Sequence, residues 1–245
     1  MEREFEKKRK EIHCRDEEAD IYEFQFSSYR KSKEAPFIFR NFEINNRDLI
    51  LEVGSGTGRF TVEFAKKGAE VVALDYSVNS LKINKSRCKC HVVLADLCLL
   101  PFKNSVFDKA TGISVFQHVP TMKSRIVGLK EIRRVSKKDA KVLIMVYNNR
   151  LWDKIKGNKQ GFHKGLIYYY RFDISEFKQI LLSVFSKIID IHSLILEEIP
   201  ILSFGLRFLY RIGLAKAVFS LEVFIGKMPL FRLLGGHILS ICKNC

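Results

Sequence analysis

The stretch Leu51-Glu-Val-Gly-Ser-Gly-Thr-Gly-Arg-Phe60 decides how this chain is read. An apolar run leads in. Gly54, Gly56 and Gly58 then occupy alternate positions, with an acid, Glu52, two residues before the first of them. Residues without a Cβ let the chain turn tightly and let a ligand lie against the backbone. In doubly wound folds such a turn, between a buried strand and a helix, sits at the carboxyl edge of the sheet, where ligands bind. A dinucleotide site would show G-x-G-x-x-G. Here the third glycine comes one place early, so a pyrophosphate cradle is not implied.

Working outward, strand and helix patterns alternate. Asp48–Val53 reads as a buried strand, Phe60–Lys67 as a helix closed by Gly68, and Glu70–Asp75 as a second strand. Ser77 is a good N-cap for a helix running to Arg87. His91–Asp96, Phe107–Ser114 and Lys141–Tyr147 read as further strands, with a helix over Met122–Val135. This order predicts an α/β fold: a doubly wound, Rossmann-like, mostly parallel sheet covered by helices on both faces. After Tyr147 the alternation breaks. A polar, basic and aromatic stretch runs to Arg171, followed by a helix over Ser175–Phe185 and a strand over Ile188–Leu196. Residues 199–235 are rich in Phe, Leu and Ile, and His237–Cys242 reads as a last strand. At the other end, residues 1–34 read as helix. The expected organisation is one domain, 1–245. It comprises an N-terminal helical cap (1–40), a cofactor-binding core (41–147), an acceptor-side insertion with helices (148–235), and a final strand and tail (236–245).

Four segments in order, LEVGSGTGRF, VVALDYS, VVLADLCLLPF and FDKATGISVFQHVP, resemble the class I S-adenosylmethionine-dependent methyltransferases of the Methyltransferase-11 type. The resemblance implies a methyltransferase fold and activity, with S-adenosyl-L-methionine as cofactor. It also implies roles for individual residues. Gly54, Ser55, Gly56 and Gly58 form the cofactor loop, and Glu52 faces the amino-acid end of the cofactor. Asp75 binds the ribose hydroxyls, with Tyr76 near the adenine. Asp96 contacts the adenine amine, and Leu97 packs nearby. Ser114, Gln117 and His118 fall in the segment that closes over the methionine part. Carboxylates suit an ammonium group and a diol, and apolar walls suit adenine. His118 is the candidate general base, since it follows the fourth strand at the ligand edge; the plainer reading is that it packs beside Phe116 or caps a helix. Tyr147, Asn148 and Asn149 end the fifth strand at the same edge.

The formal net charge is +15, and residues 121–172 hold 14 Lys/Arg against 3 Asp/Glu. Such concentration implies an anionic partner, or else a solvated basic face. The loop after the fifth strand carries Arg150, Lys154, Lys156, Lys159, Lys164 and Arg171, interleaved with Trp152, Phe162 and Tyr168 to Tyr170. Cations with interleaved rings suit RNA, and YYYRFDISEFKQIL loosely resembles the tRNA wobble-uridine methyltransferases. The plainer reading makes Tyr168, Tyr170 and Phe172 alternate residues of a strand or lid that contacts the core. RNA, tRNA in particular, is thus the expected acceptor. A small or lipid-like metabolite is the alternative, and a non-catalytic cofactor- or partner-binding module the third possibility. No uncharged apolar run reaches the roughly 18–20 residues of a membrane span, and the charged N-terminus lacks a signal-peptide core, so a cytoplasmic protein is expected. Cys88/Cys90 and Cys242/Cys245 resemble metal half-sites, but zinc needs convergent pairs; buried or idle thiols, with no metal bound, are the expectation.

Overall fold

The computed structural model describes residues 2–21, 42–163, 166–194, 224–225, 228 and 233–244. Strands β1 (Leu49–Val53), β2 (Glu70–Asp75), β3 (His91–Leu94), β4 (Phe107–Ile113) and β5 (Ser136–Tyr147) run parallel. β8 (Lys187–Leu194) and β9 (His237–Lys243) complete the sheet in the order β3-β2-β1-β4-β5-β9-β8, with β9 antiparallel to both β5 and β8. Helices α1 (Glu2–Glu18), α2 (Arg59–Lys66), α3 (Val78–Arg87), α4 (Met122–Val135) and α6 (Ile174–Val184) surround it.

Both sheet faces are covered because successive side chains in a strand point to opposite sides. Leu51, Val53, Val142, Ile144 and Val146 join one core with Leu129 and Ile132 of α4 and Phe177 and Leu181 of α6. Ile50, Leu143, Met145, Leu239 and Ile241 join the other with Phe60 and Phe64 of α2. A strand buried on both faces must be apolar throughout, which is why β1 and β5 read as continuous runs. Cys242 belongs to the first core and Cys90 to the second, so these two cysteines lie on opposite faces of the sheet.

Local chemistry sets the element ends. Ser77 caps α3 by accepting from the Ser80 N–H at 3.1 Å, as expected. β3 stops at Leu94 rather than Asp96, because the Asp96 carboxylate accepts the Cys98 N–H at 3.0 Å and folds the chain into a turn. β5 begins at Ser136 rather than Lys141: its pairing shifts from Phe107↔Ser136 to Lys109↔Lys141, with Asp139 at φ +63° in the bulge. The N-terminal helix ends at Glu18, short of the expected span, and residues 19–21 form a turn; residues 22–34 of that span and most of the apolar stretch 199–235 lie outside the described residues. The stretch after β5 is more ordered than the sequence indicated. It forms a short helix α5 (Leu151–Ile155) and an antiparallel hairpin, β6 (Gln160–His163) and β7 (Ile167–Tyr170).

Leu143 and Ile144 are both fully buried, on opposite faces of β5. Either residue changed to Ala is expected to cost about 2–5 kcal/mol, read as a fall in urea midpoint at unchanged slope. A loss below about 0.5 kcal/mol for either would contradict a sheet covered on both sides.

Candidate active site

A cavity of about 360 Å³ opens at the carboxyl ends of β1, β2 and β4 and beside the turn after β3. Of the residues singled out in the sequence, Glu52, Gly54, Ser55, Gly56, Asp75, Tyr76, Asp96, Leu97, Ser114 and His118 line it.

The glycines divide the work. The N–H groups of Gly54 and Ser55 both donate to the Leu74 carbonyl, at 2.8 and 3.0 Å, which ties the loop to β2. Gly54 has φ +69°, and a Cβ there would lie 2.6 Å from the Val115 side chain. Gly56 has φ +52°, and a Cβ on it would meet nothing within 4 Å; this is bare backbone facing open space. Its N–H donates to Asp75 Oδ2 at 2.8 Å. Gly58 departs from expectation. It does not line the cavity but caps α2, where a Cβ would collide with the Asn84 side chain.

Two carboxyl groups are buried here. Asp75 accepts the Gly56 N–H through one oxygen and the Ser77 N–H through the other, at 2.9 Å. Burial nevertheless raises its pKa above the usual carboxylate value. Glu52 is 2% exposed and accepts the Thr61 hydroxyl at 2.6 Å; Thr61 in turn accepts from the Asn84 amide at 3.0 Å. Burial pushes the Glu52 pKa up to about 8, against the opposing pull of the Thr61 hydroxyl and the Arg59 charge, so the group is mostly protonated at neutral pH. Ser55 Oγ and Ser114 Oγ are buried on the lining without a hydrogen-bond partner among the described residues. Orphaned polar atoms of this kind mark where a ligand's polar groups belong.

Gln117 is the second departure. It lies in a 3-10 turn, Phe116–His118, that directs it away from the cavity; it is fully buried, with both amide atoms unpaired. His118, the next residue, does reach the cavity. Its Nδ1 lies 2.7 Å from the Tyr168 carbonyl oxygen. A carbonyl only accepts, so Nδ1 carries the proton, and in the neutral ring Nε2 keeps a lone pair. Burial first, then the charges of Arg15 and His163, hold its pKa well below the ordinary imidazole value. The ring also contacts Tyr147 and His163 edge-on, at centroid separations of 5.9 and 6.5 Å.

Sequence reasoning missed the contribution of α1. Glu11, Arg15, Glu18 and Ala19 line the cavity, so this helix roofs it. Tyr76 Oη donates to Glu11 Oε1 at 2.9 Å, and Asp16 accepts from Ser77 Oγ at 2.5 Å and from the Asn79 N–H at 3.0 Å. The only signal was the spacing of positions 11, 15, 18 and 19 on one helix face. Three of the four are charged, and a charged stripe ordinarily faces water.

Four cations of the basic loop have carboxylate partners. Lys154 and Lys159 pair with Asp173 at 2.6 and 3.0 Å, Lys159 also with Glu176 at 3.1 Å, and Arg150 and Arg171 with Asp153 at 2.6 and 3.7 Å. Tyr168 Oη donates to Gln160 and Tyr170 Oη to Glu176, while Tyr169 packs on His163 and Arg171. Phe172 is buried in the core. Of the plainer reading, Tyr168 and Tyr170 are alternate residues of β7, while Phe172 lies two residues beyond its end.

Comparison with known proteins agrees with this geometry. Residues 51–144 match a family described as a methyltransferase domain. A probable tRNA methyltransferase 9B of Bos taurus is 32% identical over 145 residues, covering 55% of this chain and 31% of that one. A demethylmenaquinone methyltransferase of Mycolicibacterium gilvum is 31% identical over 106 residues, covering 43% and 45%. The chain spans about half the length, or less, of the curated relatives it matches. A Thermotoga maritima structure described as an S-adenosylmethionine-dependent methyltransferase, possible histamine N-methyltransferase, shares the fold. Its TM-score is 0.66 at 16% identity, over 96% of this chain and 100% of that one.

The protonated state of Glu52 has a measurable consequence. A cationic ligand lowers a neighbouring carboxyl pKa, so S-adenosylmethionine binding at pH 7 is expected to release about one proton per site. Calorimetric heats in buffers of different ionisation enthalpy report this. Glu52→Gln should abolish the buffer dependence, and buffer-independent heats in the unaltered protein would rule the proton release out.

Proposed function

Since the chain carries a class I S-adenosylmethionine-dependent methyltransferase domain over residues 51–144, we propose that it methylates a small acceptor, with His118 taking the acceptor's proton. The observation that carries this reading is one cavity that gathers the glycine loop, Asp75 and Asp96 with His118, beneath the roof of α1.

The residues present fit the cofactor. Bare backbone at Gly56, the buried Asp75 carboxylate and the unpaired Ser55 and Ser114 hydroxyls supply a surface, an acceptor for a diol, and donors for a carboxylate. Asp75 would hold the ribose, Asp96 and Leu97 the adenine, and Glu52 the amino-acid end. Bound there, the cofactor would supply a methyl carbon already activated for transfer by its positive sulfur. The chain's own contribution is alignment and exclusion of water, worth about 7–11 kcal/mol where geometry is well held. An acceptor such as a hydroxyl must also lose a proton. Neutral His118, with Nδ1–H fixed on a carbonyl, offers Nε2 to receive it.

For the acceptor, the paired cations and engaged tyrosines of the 148–171 segment support a small molecule over RNA. The demethylmenaquinone methyltransferase relatives add weight to that side, and the tRNA methyltransferase relative to the other.

Incubation of the protein with labelled methyl donor and cell extract should place label in the small-molecule or lipid fraction. Label in RNA, bound with a steep salt dependence, would overturn the small-acceptor reading. Asp75→Ala should weaken cofactor binding by tenfold or more, about 1.4 kcal/mol at least, in a calorimetric titration; unchanged affinity rejects its place at the ribose. His118→Gln should lower transfer by about 10²–10⁴ while sparing cofactor affinity. The depressed His118 pKa keeps the ring neutral through pH 6.5, so the acidic loss of rate should fall below that value. A rate that titrates above pH 6.5 at its acid limb excludes His118 as the base.

A further inference from the structure

Arg125, on α4, is 3% exposed, and among the described residues no carboxylate pairs with it. A buried guanidinium held without a counter-charge is costly. Its partners all belong to the acceptor side of the cavity. Nε donates to the Val119 carbonyl at 2.9 Å, one residue beyond His118. Nη2 lies 3.4 Å from Tyr168 Oη, on the residue whose carbonyl holds His118 Nδ1. The guanidinium carbon sits 3.9 Å from the centre of the Tyr170 ring and 5.1 Å from that of Phe172. One planar cation therefore grips the turn that carries His118 and the strand, β7, that orients it.

We propose that Arg125 is the positioning residue for His118: it docks β7 against the His118 turn and so fixes the imidazole as the Nδ1–H tautomer. This rests on the reading of His118 as proton acceptor. Arg125 does not itself line the cavity; it reaches it only through Val119, which does, so its action on His118 is through the turn and the hairpin. The shape of the group matters. A carbonyl bonded at the edge and rings stacked against the face need a flat fork; a lysine ammonium can satisfy the carbonyl or the ring but not hold all three. Removing the clamp lets β7 part from the turn. The Tyr168 carbonyl then no longer dictates which nitrogen is protonated, and water reaches the ring.

Nitrogen-15 NMR of the His118 ring in the full chain tests this without any acceptor. The unaltered protein should show protonated Nδ1 and bare Nε2 from pH 6 to 8, with a midpoint below 6.5. Arg125→Lys should shift the ring toward a tautomer mixture and raise the midpoint toward about 6.5, with cofactor affinity within about threefold of the original. Tyr170→Leu, which removes the stacked ring and leaves Arg125 in place, should give a smaller shift in the same direction, and decides the matter if the lysine variant does not fold. Unchanged His118 spectra in the folded variants overturn the proposal. Turnover does not enter this readout: if His118→Gln keeps full activity, the proton-acceptor reading fails, whereas the tautomer experiment alone judges Arg125.

Discussion

The site depends on the hydrogen bond from the Gly56 N–H to the Asp75 carboxylate, 2.8 Å long. It joins the ends of two neighbouring parallel strands, β1 and β2, across the floor of the cavity. The same carboxylate takes the Ser77 N–H, and Ser77 caps α3. One side chain thus sets the glycine loop, the end of β2 and the start of a helix in a single arrangement. A charged group could not stay buried there without these donors, because desolvation of an ionised carboxylate is expensive. The backbone amides offset part of that cost before any ligand arrives.

Behind the loop, a chain of buried polar groups runs from Asn84 through Thr61 to Glu52. Asn84 also blocks any side chain at position 58, so the third glycine of the motif serves the packing of α2 against α3 rather than the cavity. Motif glycines that look equivalent along the chain therefore answer to different constraints. Gly54 yields room to Val115, Gly56 leaves open space, and Gly58 yields room to Asn84. The elevated Glu52 pKa belongs to the same network: it is the price of placing a carboxyl where only a hydroxyl donates to it.

The acceptor side is built differently. It has few apolar anchors of its own and is held by charge and ring contacts: Arg125 on Tyr170, Lys159 between Asp173 and Glu176, Tyr147 among His118, His163 and His237. Cations that seem available in the sequence are spent in holding the hairpin to α6 and α5. Such polar scaffolding fixes direction as well as proximity, since hydrogen bonds and stacked guanidinium groups tolerate little misorientation. That is the property required of a surface that must present one imidazole nitrogen to a reacting group.

The parallel sheet, the glycine loop and the acids at the ends of β2 and β3 were legible in the sequence because each is a local pattern: period, spacing and turn chemistry act over a few residues. Ser77 as a cap and Tyr168 and Tyr170 as alternate strand positions were legible for the same reason. Tertiary structure alone decided that Gln117 turns away from the cavity while His118 enters it, since a 3-10 turn separates neighbours by direction and not by composition. It alone brought Glu11 and Arg15 over the site, because a charged helix stripe reads as solvent-facing until another element covers it. It also decided that Lys154 and Lys159 have partners: Asp173 and Glu176 meet them only after the chain has folded back, and a sum of charges along the sequence carries no information about distance in space.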